Sequence, residues 1–367
     1  MRPKPTSPTP TPAATASEAA LQSATPSSPL ETWAAEYRAI YADYLAALTA
    51  RGITLGAPHS QDQEKSQVMT RLAQKGAWIR NGGASVVSGA ISPACEACTG
   101  APGSETLTIT LRCNRNCYFC FNPNQADYQD HLEHHRNWRA EFDLFQAQGR
   151  PMTHIALTGG EPLLIPEESL EFFRQARLRW PNCHLRLYTS GDLLTPNLLD
   201  QLVDAGLDEI RFSVKMDDSE AYLAQQLDRI RMACTRDLDV MVEMPAIPGT
   251  EAAMRQLLID LDQVGAVGIN LLEFCYPLTD WTPFAQRGFA VANPPFPILY
   301  DYAYSGGLPV EGSEVLCLKL VEYALDQRLG INVHYCSLEN KHRDQIITLN
   351  RPAIARAKSA ASGTAAS

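Results

Sequence analysis

From about residue 106 to 276 the chain alternates short β-rich runs with helical ones, and this rhythm limits the folds open to it. The strand candidates are Thr106–Arg112, His154–Thr158, His184–Thr189, Glu209–Val214, Asp239–Glu243 and Gly268–Phe274. Helical patterns fill the gaps, for example Pro166–Trp180 and Thr195–Ala205. Strand–helix units repeating every ~25–35 residues predict a parallel sheet with right-handed crossovers. The fold class is therefore α/β. Six such units make a partial (β/α)6 TIM-type barrel, since roughly eight are needed to close one. In that architecture function sits on the loops that follow the C-terminal ends of the strands.

The flanks read differently. Residues 1–29 are dominated by Pro, Thr, Ser and Ala. Such a segment buries too little apolar surface to offset its ordering entropy, so a disordered tail is expected. Residues 30–105 begin with a helical pattern carrying Trp33, Tyr37, Ile40, Tyr41, Tyr44 and Leu48 on one face, and a second helix is expected over Asp62–Ile79. The barrel is assigned to 106–276 and a C-terminal extension to 277–350. An Ala/Ser-rich tail over 351–367 completes the division. With 31 Lys and Arg against 41 Asp and Glu, the formal charge is −10. That excludes the broad positive field of a nucleic-acid binder. No apolar run is long enough to span a membrane. The ten cysteines are too sparse for a disulfide scaffold, and their clustering points to metal binding in a reducing, cytoplasmic setting.

Immediately after the first strand stand Cys113, Cys117 and Cys120, in the run Cys-Asn-Arg-Asn-Cys-Tyr-Phe-Cys. Three thiols on one loop can wrap an iron–sulfur cluster, whose ligands are thiolates. Three ligands for a four-iron cube leave one iron open to a substrate or cofactor, as in open catalytic metal sites. A zinc loop, or three unrelated thiols, would give the same pattern. One βα unit later the second strand ends in Gly159-Gly160-Glu161-Pro162. Paired glycines let the backbone approach a ligand closely. A plain strand-to-helix turn opened by Pro162 is the alternative.

The triplet, with Phe119 in its aromatic slot, and the GGEP run resemble the radical S-adenosylmethionine (radical SAM) superfamily. That resemblance implies a [4Fe-4S] cluster on Cys113, Cys117 and Cys120. It also implies S-adenosylmethionine chelated at the open iron and split by one electron into methionine and a 5′-deoxyadenosyl radical. Gly159, Gly160, Glu161 and Pro162 are then expected near the methionine amino group. The third and fourth strand ends, Tyr188-Thr189-Ser190-Gly191 and Phe212-Ser213-Val214-Lys215, are similar to those of glycyl-radical-enzyme activases. By that likeness Thr189 and Ser190 lie near the ribose, and Ser213 and Lys215 near the ribose and the methionine carboxylate. Tyr188 stands where an activase would commonly carry an acidic residue, which weakens the case for the same substrate. Ile247 and Gly249 are similar to the superfamily's adenine-contacting motif. An electron donor such as flavodoxin or ferredoxin is implied as a partner.

Cys95 and Cys98 form a CxxC pair before the first strand, while Cys317 and Cys336 lie far downstream. They are expected to make one four-thiolate site holding an auxiliary [4Fe-4S] cluster, a mononuclear iron or a zinc. Cys317 buried inertly in its helix is the alternative. An auxiliary cluster is commoner among maturases of peptides and proteins, so a peptide or protein substrate is favoured. The competing readings are an activase, a small-molecule radical SAM enzyme, or a non-catalytic structural zinc–thiolate protein. Glu273 and Cys275 close the sixth strand at the barrel mouth and are the candidate catalytic side chains. Cys183 and Cys234 read as inert thiols. His131, His134 and His135 are expected on one helix. The aromatic stretch 276–312 is a candidate cover for the open face.

Overall fold

The structure, a computed structural model, describes residues 45–98, 103–125, 127–277, 280–294 and 307–341, with single positions at 35, 39, 42 and 43. Both tails lie outside these residues. So do Trp33, Tyr37, Ile40, Tyr41 and Tyr44 of the first helical pattern, and Phe296, Tyr300, Tyr302, Tyr304 and Gly306 of the aromatic stretch. The chain divides into two compact units, Met1–Gly52 and Ile53–Ser367. In the first, residues 45–50 are helical and Leu48 is buried.

The second unit is built on one open nine-stranded sheet, with β9 (Cys275–Tyr276) and β10 (Leu308–Pro309) pairing separately. Its central run is β3 (Ser104–Thr108), β4 (His154–Thr158), β5 (His184–Thr189), β6 (Glu209–Phe212), β7 (Asp239–Ala246) and β8 (Gly268–Glu273). Each pairs in parallel with the next. Strand β11 (Asn332–Cys336) adds a further parallel strand beside β8. Then β2 (Ser85–Ser88) and β1 (Trp78–Arg80) follow antiparallel at that edge. The sheet therefore does not stop where the barrel was expected to end at 276. The expected helix over Asp62–Ile79 is α1 (Asp62–Gln74), and Ile79 has passed into β1.

Helices cover the sheet's outer face. In chain order after α1 come α2 (Pro93–Cys98), α3 (Tyr128–Glu133), α4 (Trp138–Ala147), α5 (Pro166–Arg179), α6 (Pro196–Asp204), α7 (Glu220–Ala233), α8 (Glu251–Val264), α9 (Thr282–Gln286) and α10 (Ser313–Gln327). Their starts follow ordinary capping chemistry. Thr195 accepts from the Leu198 amide at the head of α6 (3.2 Å), with Pro196 opening it, and Ser219 caps α7. Outward side chains such as Ile155, Leu157, Leu185, Leu187, Ile210 and Phe212 join Phe172, Phe173, Leu199 and Leu202 in the buried core. Successive strand residues point to opposite faces. The other face therefore carries His184, Arg186 and Tyr188 on β5, Glu209 and Arg211 on β6, Glu243 on β7, Asn270 on β8 and His334 on β11. The inner wall is polar, unlike the branched apolar filling of an ordinary barrel.

The first strand differs from its expected bounds. Residues 109–112 leave the ladder because other partners claim them. Thr110 and Arg112 carbonyls accept from the Gly160 and Glu161 amides (2.9 and 2.8 Å), and the Leu111 amide donates to the His131 carbonyl (3.0 Å).

Candidate functional site

A cavity of about 270 Å³ opens at the C-terminal ends of β4 to β8. Its wall includes Cys117, Phe119 and Cys120 from the loop after β3, and Gly159 and Gly160 after β4. Thr189 and Ser190 at the end of β5, Ser213 after β6, and Glu273 and Cys275 at the end of β8 complete the sequence-derived set that it brings together.

The cysteine loop is pinned from several sides. Arg115 sits over the Tyr222 ring at 4.0 Å and pairs with Asp218 and with Asp192 (3.7 Å). Asn114 Nδ2 donates to Asp192 Oδ2 (2.9 Å), and Asn122 Nδ2 donates to the Gly159 carbonyl (2.7 Å). Cys113 is exposed and Cys117 and Cys120 are half-buried; all three are free thiols. Burial pushes the Cys120 thiol up to about 11 and raises that of Cys113 too, while Lys215 pulls both down. Ligation thus needs a cation to replace the lost water around each thiolate, which is what a metal supplies. Lys215 is nine-tenths buried and lies outside the cavity lining.

The GGEP run has a structural duty of its own. A Cβ on Gly160 would lie 1.9 Å from the Arg112 carbonyl oxygen, and one on Gly159, at φ +124°, 2.5 Å from that of Thr110. The close approach is to the chain's own backbone, at the point where it enters the cysteine loop. Glu161 is fully buried and is not part of the cavity wall. Its Oε1 accepts from the Leu163 amide (3.0 Å) and Thr189 Oγ1 (2.7 Å). Its Oε2 accepts from the amide and hydroxyl of Ser190 (both 2.7 Å). Pro162 opens a 3₁₀ turn behind it.

At the far wall Phe119 meets Phe274 edge-on at 5.8 Å. Phe274 stacks on Phe284 at 5.1 Å, and Tyr118 meets the same ring at 5.3 Å. The aromatic stretch thereby fastens the cysteine loop to the end of β8. Cys275 is buried and its thiol is pushed well up by burial, so it presents an S–H. Burial first, then the nearby Glu314 carboxylate, push Glu273 up to about 8, against a hydrogen bond from the Leu338 amide (2.9 Å).

Other candidates lie elsewhere. Ile247 is buried at the end of β7 outside the cavity wall, whereas Glu243, Met244 and Pro245 of that strand line it. Tyr188, Leu338 and Lys341 also line it and were missed as site residues. The signal for β7 was available: alternation puts Glu243 and Pro245 on one face. The three histidines do not share a helix. α3 ends at Glu133, leaving His134 and His135 beyond it. Cys95 is buried, Cys98 exposed, and Cys336 buried. Cys317 lies within the apolar core, its Sγ 3.8 Å from the Leu272 carbonyl oxygen. Among the described residues no three His, Cys, Asp or Glu side chains converge to hold a single metal ion, and no helix is long and apolar enough to cross a membrane.

Residues 107–261 match the sequence model of the Radical SAM superfamily. A candidate glycyl-radical enzyme activating enzyme of Methanocaldococcus jannaschii is 27% identical over 276 residues, covering 73% of this chain and 68% of that one. A PqqA peptide cyclase of Ruegeria pomeroyi is 31% identical over 175 residues, covering 47% of this chain and 45% of the cyclase. The crystal structure of SuiB from Streptococcus suis superposes over 86% of this chain and 63% of its own, with a TM-score of 0.46 and 10% identity. Matched by family sequence over residues 107–261, and built there on a parallel sheet with free thiols at its C-terminal mouth, the chain carries a radical SAM domain. It is an enzyme whose cofactors are a [4Fe-4S] cluster and S-adenosylmethionine.

Proposed function

We propose that this enzyme abstracts hydrogen from a peptide or protein, and that Cys113, Cys117 and Cys120 hold the cluster. The donor chemistry fits: three free thiols lie on one braced loop, two of them in the wall of the cavity. Bound there, the reduced cluster supplies the electron that cleaves S-adenosylmethionine to methionine and the hydrogen-abstracting 5′-deoxyadenosyl radical. The chain supplies position. Gly159 and Gly160 give a bare backbone wall, Ser213 offers a hydroxyl, and Met244, Pro245 and Phe119 offer apolar surface. Lys215, held near the Cys113 and Cys120 thiols, places a buried cation where a chelated carboxylate needs one. Glu273, its carboxyl pushed up to about 8 by burial, lines the cavity, and the Cys275 S–H is a hydrogen source for a substrate radical.

The observation that carries the reading is that thiols, glycine strip, Glu273 and Cys275 share one cavity. A polypeptide substrate is supported by two relatives, one named for activating glycyl-radical enzymes and one for cyclising the PqqA peptide. A flavodoxin or ferredoxin is the proposed electron donor, with the exposed Cys113 on the solvent side of the loop. The test uses extract of the source organism grown in heavy water, split by ultrafiltration into protein and small-molecule fractions. Each is incubated anaerobically with the reconstituted enzyme, unlabelled S-adenosylmethionine and dithionite. Deuterium in 5′-deoxyadenosine from the protein fraction is expected. Deuterium from the small-molecule fraction alone refutes the polypeptide substrate.

A further inference from the structure

Two side chains of the cavity wall that have no role above, Tyr188 and Glu243, stand at its floor. Strand register sets the depth. Glu243 pairs with Asn270 and Ala246 with Glu273, so Glu243 lies about 10 Å down the strand from the level of Glu273 at the mouth. Arg211 fixes both side chains. Its Nη1 donates to Glu243 Oε2 (2.6 Å) and to Tyr188 Oη (3.4 Å), so those two oxygens stand within 6.0 Å of each other. Arg211 is itself held by Glu209 through Nε and by Ser92 through Nη2 (3.0 Å). Asn270 Nδ2 gives Glu243 Oε2 a second hydrogen bond (2.7 Å). The guanidinium groups of Arg186 and Arg211, 5.1 and 5.5 Å from the Tyr188 ring, pin the ring by cation–π contact.

Each of the two keeps one bonding capacity for the cavity. Both hydrogen bonds to Glu243 end on Oε2, and among the described residues Oε1 has no partner; the side chain is 18% exposed, at the cavity it lines. Tyr188 Oη accepts from Arg211, and its own proton goes to no acceptor among the described residues. Burial raises the Tyr188 phenol far above its ordinary value, so it keeps that proton. Burial also pushes the Glu243 carboxyl up, but Arg211, Lys341, the Asn270 hydrogen bond and Arg186 together bring it below its ordinary value, so it is ionised. The floor therefore offers one fixed acceptor and one fixed donor.

We propose that Tyr188 and Glu243 determine specificity by taking a side-chain carboxamide of the substrate, an asparagine or glutamine, at the cavity floor. Glu243 Oε1 accepts its N–H and the Tyr188 O–H donates to its C=O. The assignment rests on the polypeptide reading above and names the side chain that reading leaves open. Other groups fit the floor less well. An ammonium or guanidinium would join three cations that already act on Glu243. A carboxylate would face the Glu243 carboxylate itself. An apolar side chain would strip water from both polar atoms and replace it with nothing. A hydroxyl must make both bonds at one oxygen, whereas a carboxamide makes them at separate atoms.

The test measures binding to the full chain, reconstituted anaerobically and supplied with S-adenosylmethionine. The probes are acetylated pentapeptides Ala-Ala-X-Ala-Ala with a free carboxyl end, X being Gln, Asn, Glu, Asp, Lys, Ser or Leu, and the N-acetyl methylamides of the same seven residues. The Gln or Asn peptide is expected to bind about tenfold tighter than the rest, which one neutral hydrogen bond supplies. In Glu243→Gln the oxygen must stay with Arg211 and Asn270, so the new NH₂ turns to the cavity beside the Tyr188 O–H. Two donors then face the ligand, and the order reverses, with the Glu or Asp peptide ahead of its amide. Tyr188→Phe keeps the ring beside both guanidinium groups, and so the fold; it weakens the amide peptide about tenfold and leaves the Leu peptide unmoved. The proposal is overturned if neither probe set prefers the carboxamide, if the order survives Glu243→Gln, or if S-adenosylmethionine alone binds tenfold more weakly to both variants, which would give the floor to the cofactor. The polypeptide reading fails separately: the carboxamide preference then appears in the methylamides and not in the peptides. Peptides that bind alike whatever X carries sink the floor and spare that reading.

Discussion

Replacing Glu161 with Gln separates two roles for the GGEP carboxylate. Each oxygen accepts one backbone amide and one hydroxyl: Leu163 N–H with Thr189 O–H, and Ser190 N–H with Ser190 O–H. A glutamine offers one oxygen and one NH₂. Whichever way it turns, the NH₂ faces one hydroxyl, which can rotate to accept, and one amide, which cannot. One buried N–H is therefore left unsatisfied, at about 1–3 kcal/mol, and its partners lose charge assistance of about 1 kcal/mol. The variant should lose roughly 2–4 kcal/mol of stability. The assay is urea unfolding of the anaerobic apoprotein, followed by S-adenosylmethionine binding to the reconstituted protein at a temperature where both forms are folded. A lower midpoint with an unchanged slope is expected, together with a loss of affinity no larger than the disordering of the 189–190 loop explains. If instead the midpoint is unchanged and affinity falls a hundredfold, Glu161 touches the cofactor and the argument is wrong.

Gly160→Ala drives a Cβ into the Arg112 carbonyl, so the cysteine loop must shift. A cost of about 3 kcal/mol or more and a loss of cluster incorporation at Cys113–Cys120 are expected, checked by unfolding and by iron content. Glu322 receives Arg71 from α1 and Lys75 just past its end (2.7 and 2.8 Å) and is held down to about 2, chiefly by the Arg71 hydrogen bond. A lowered carboxylate stabilises above its ordinary value near 4.5 and loses that contribution as pH falls toward 2. Glu322→Gln should therefore melt lower than the parent at pH 7, with the gap closing by pH 2–3; an equal gap at both pH values rules the ion pairs out. Cys275→Ala should leave the release of 5′-deoxyadenosine intact and reduce completed product, measured as the ratio of the two. An unchanged ratio removes the thiol from the reaction.

Much of this architecture was legible because period-two alternation and helix punctuation are local signals. β4 and β5 form over the expected residues, and α5 and α6 lie within a residue of their expected ends. What escaped was set by distant partners. Thr110 and Arg112 look like strand, but their carbonyls are taken by Gly160 and Glu161, so the ladder ends at Thr108. β11 reads as a strand in isolation, but only its register against Gly268–Leu272 makes it a further parallel member of the sheet. Cys317 reads in sequence either as a ligand beside Cys95, Cys98 and Cys336 or as a thiol buried in its helix, and the structure places it in the apolar core. α10 packs on the sheet while α1 lies along it, joined through Arg71, Lys75 and Glu322, so most of its residues are buried.

The GGEP motif shows why a sequence signature and a binding contact need not be the same thing. A short motif can persist because the backbone must pass close to a neighbour, because a turn needs its acceptor, or because a ligand is touched. Here the first two causes are visible for Gly160 and Glu161: a carbonyl 1.9 Å from an added Cβ, and a carboxylate with its four donors already in place. The same geometry serves the chemistry at one remove. Glu161 ties the Thr189–Ser190 turn to the second strand, and Gly159 accepts from Asn122 just past Cys120. The thiol loop, the glycine strip and the third strand end are thereby fixed to one another before any cofactor arrives. Such preorganisation keeps a reactive radical close to its target, where a shift of about 1 Å costs rates of roughly a hundredfold.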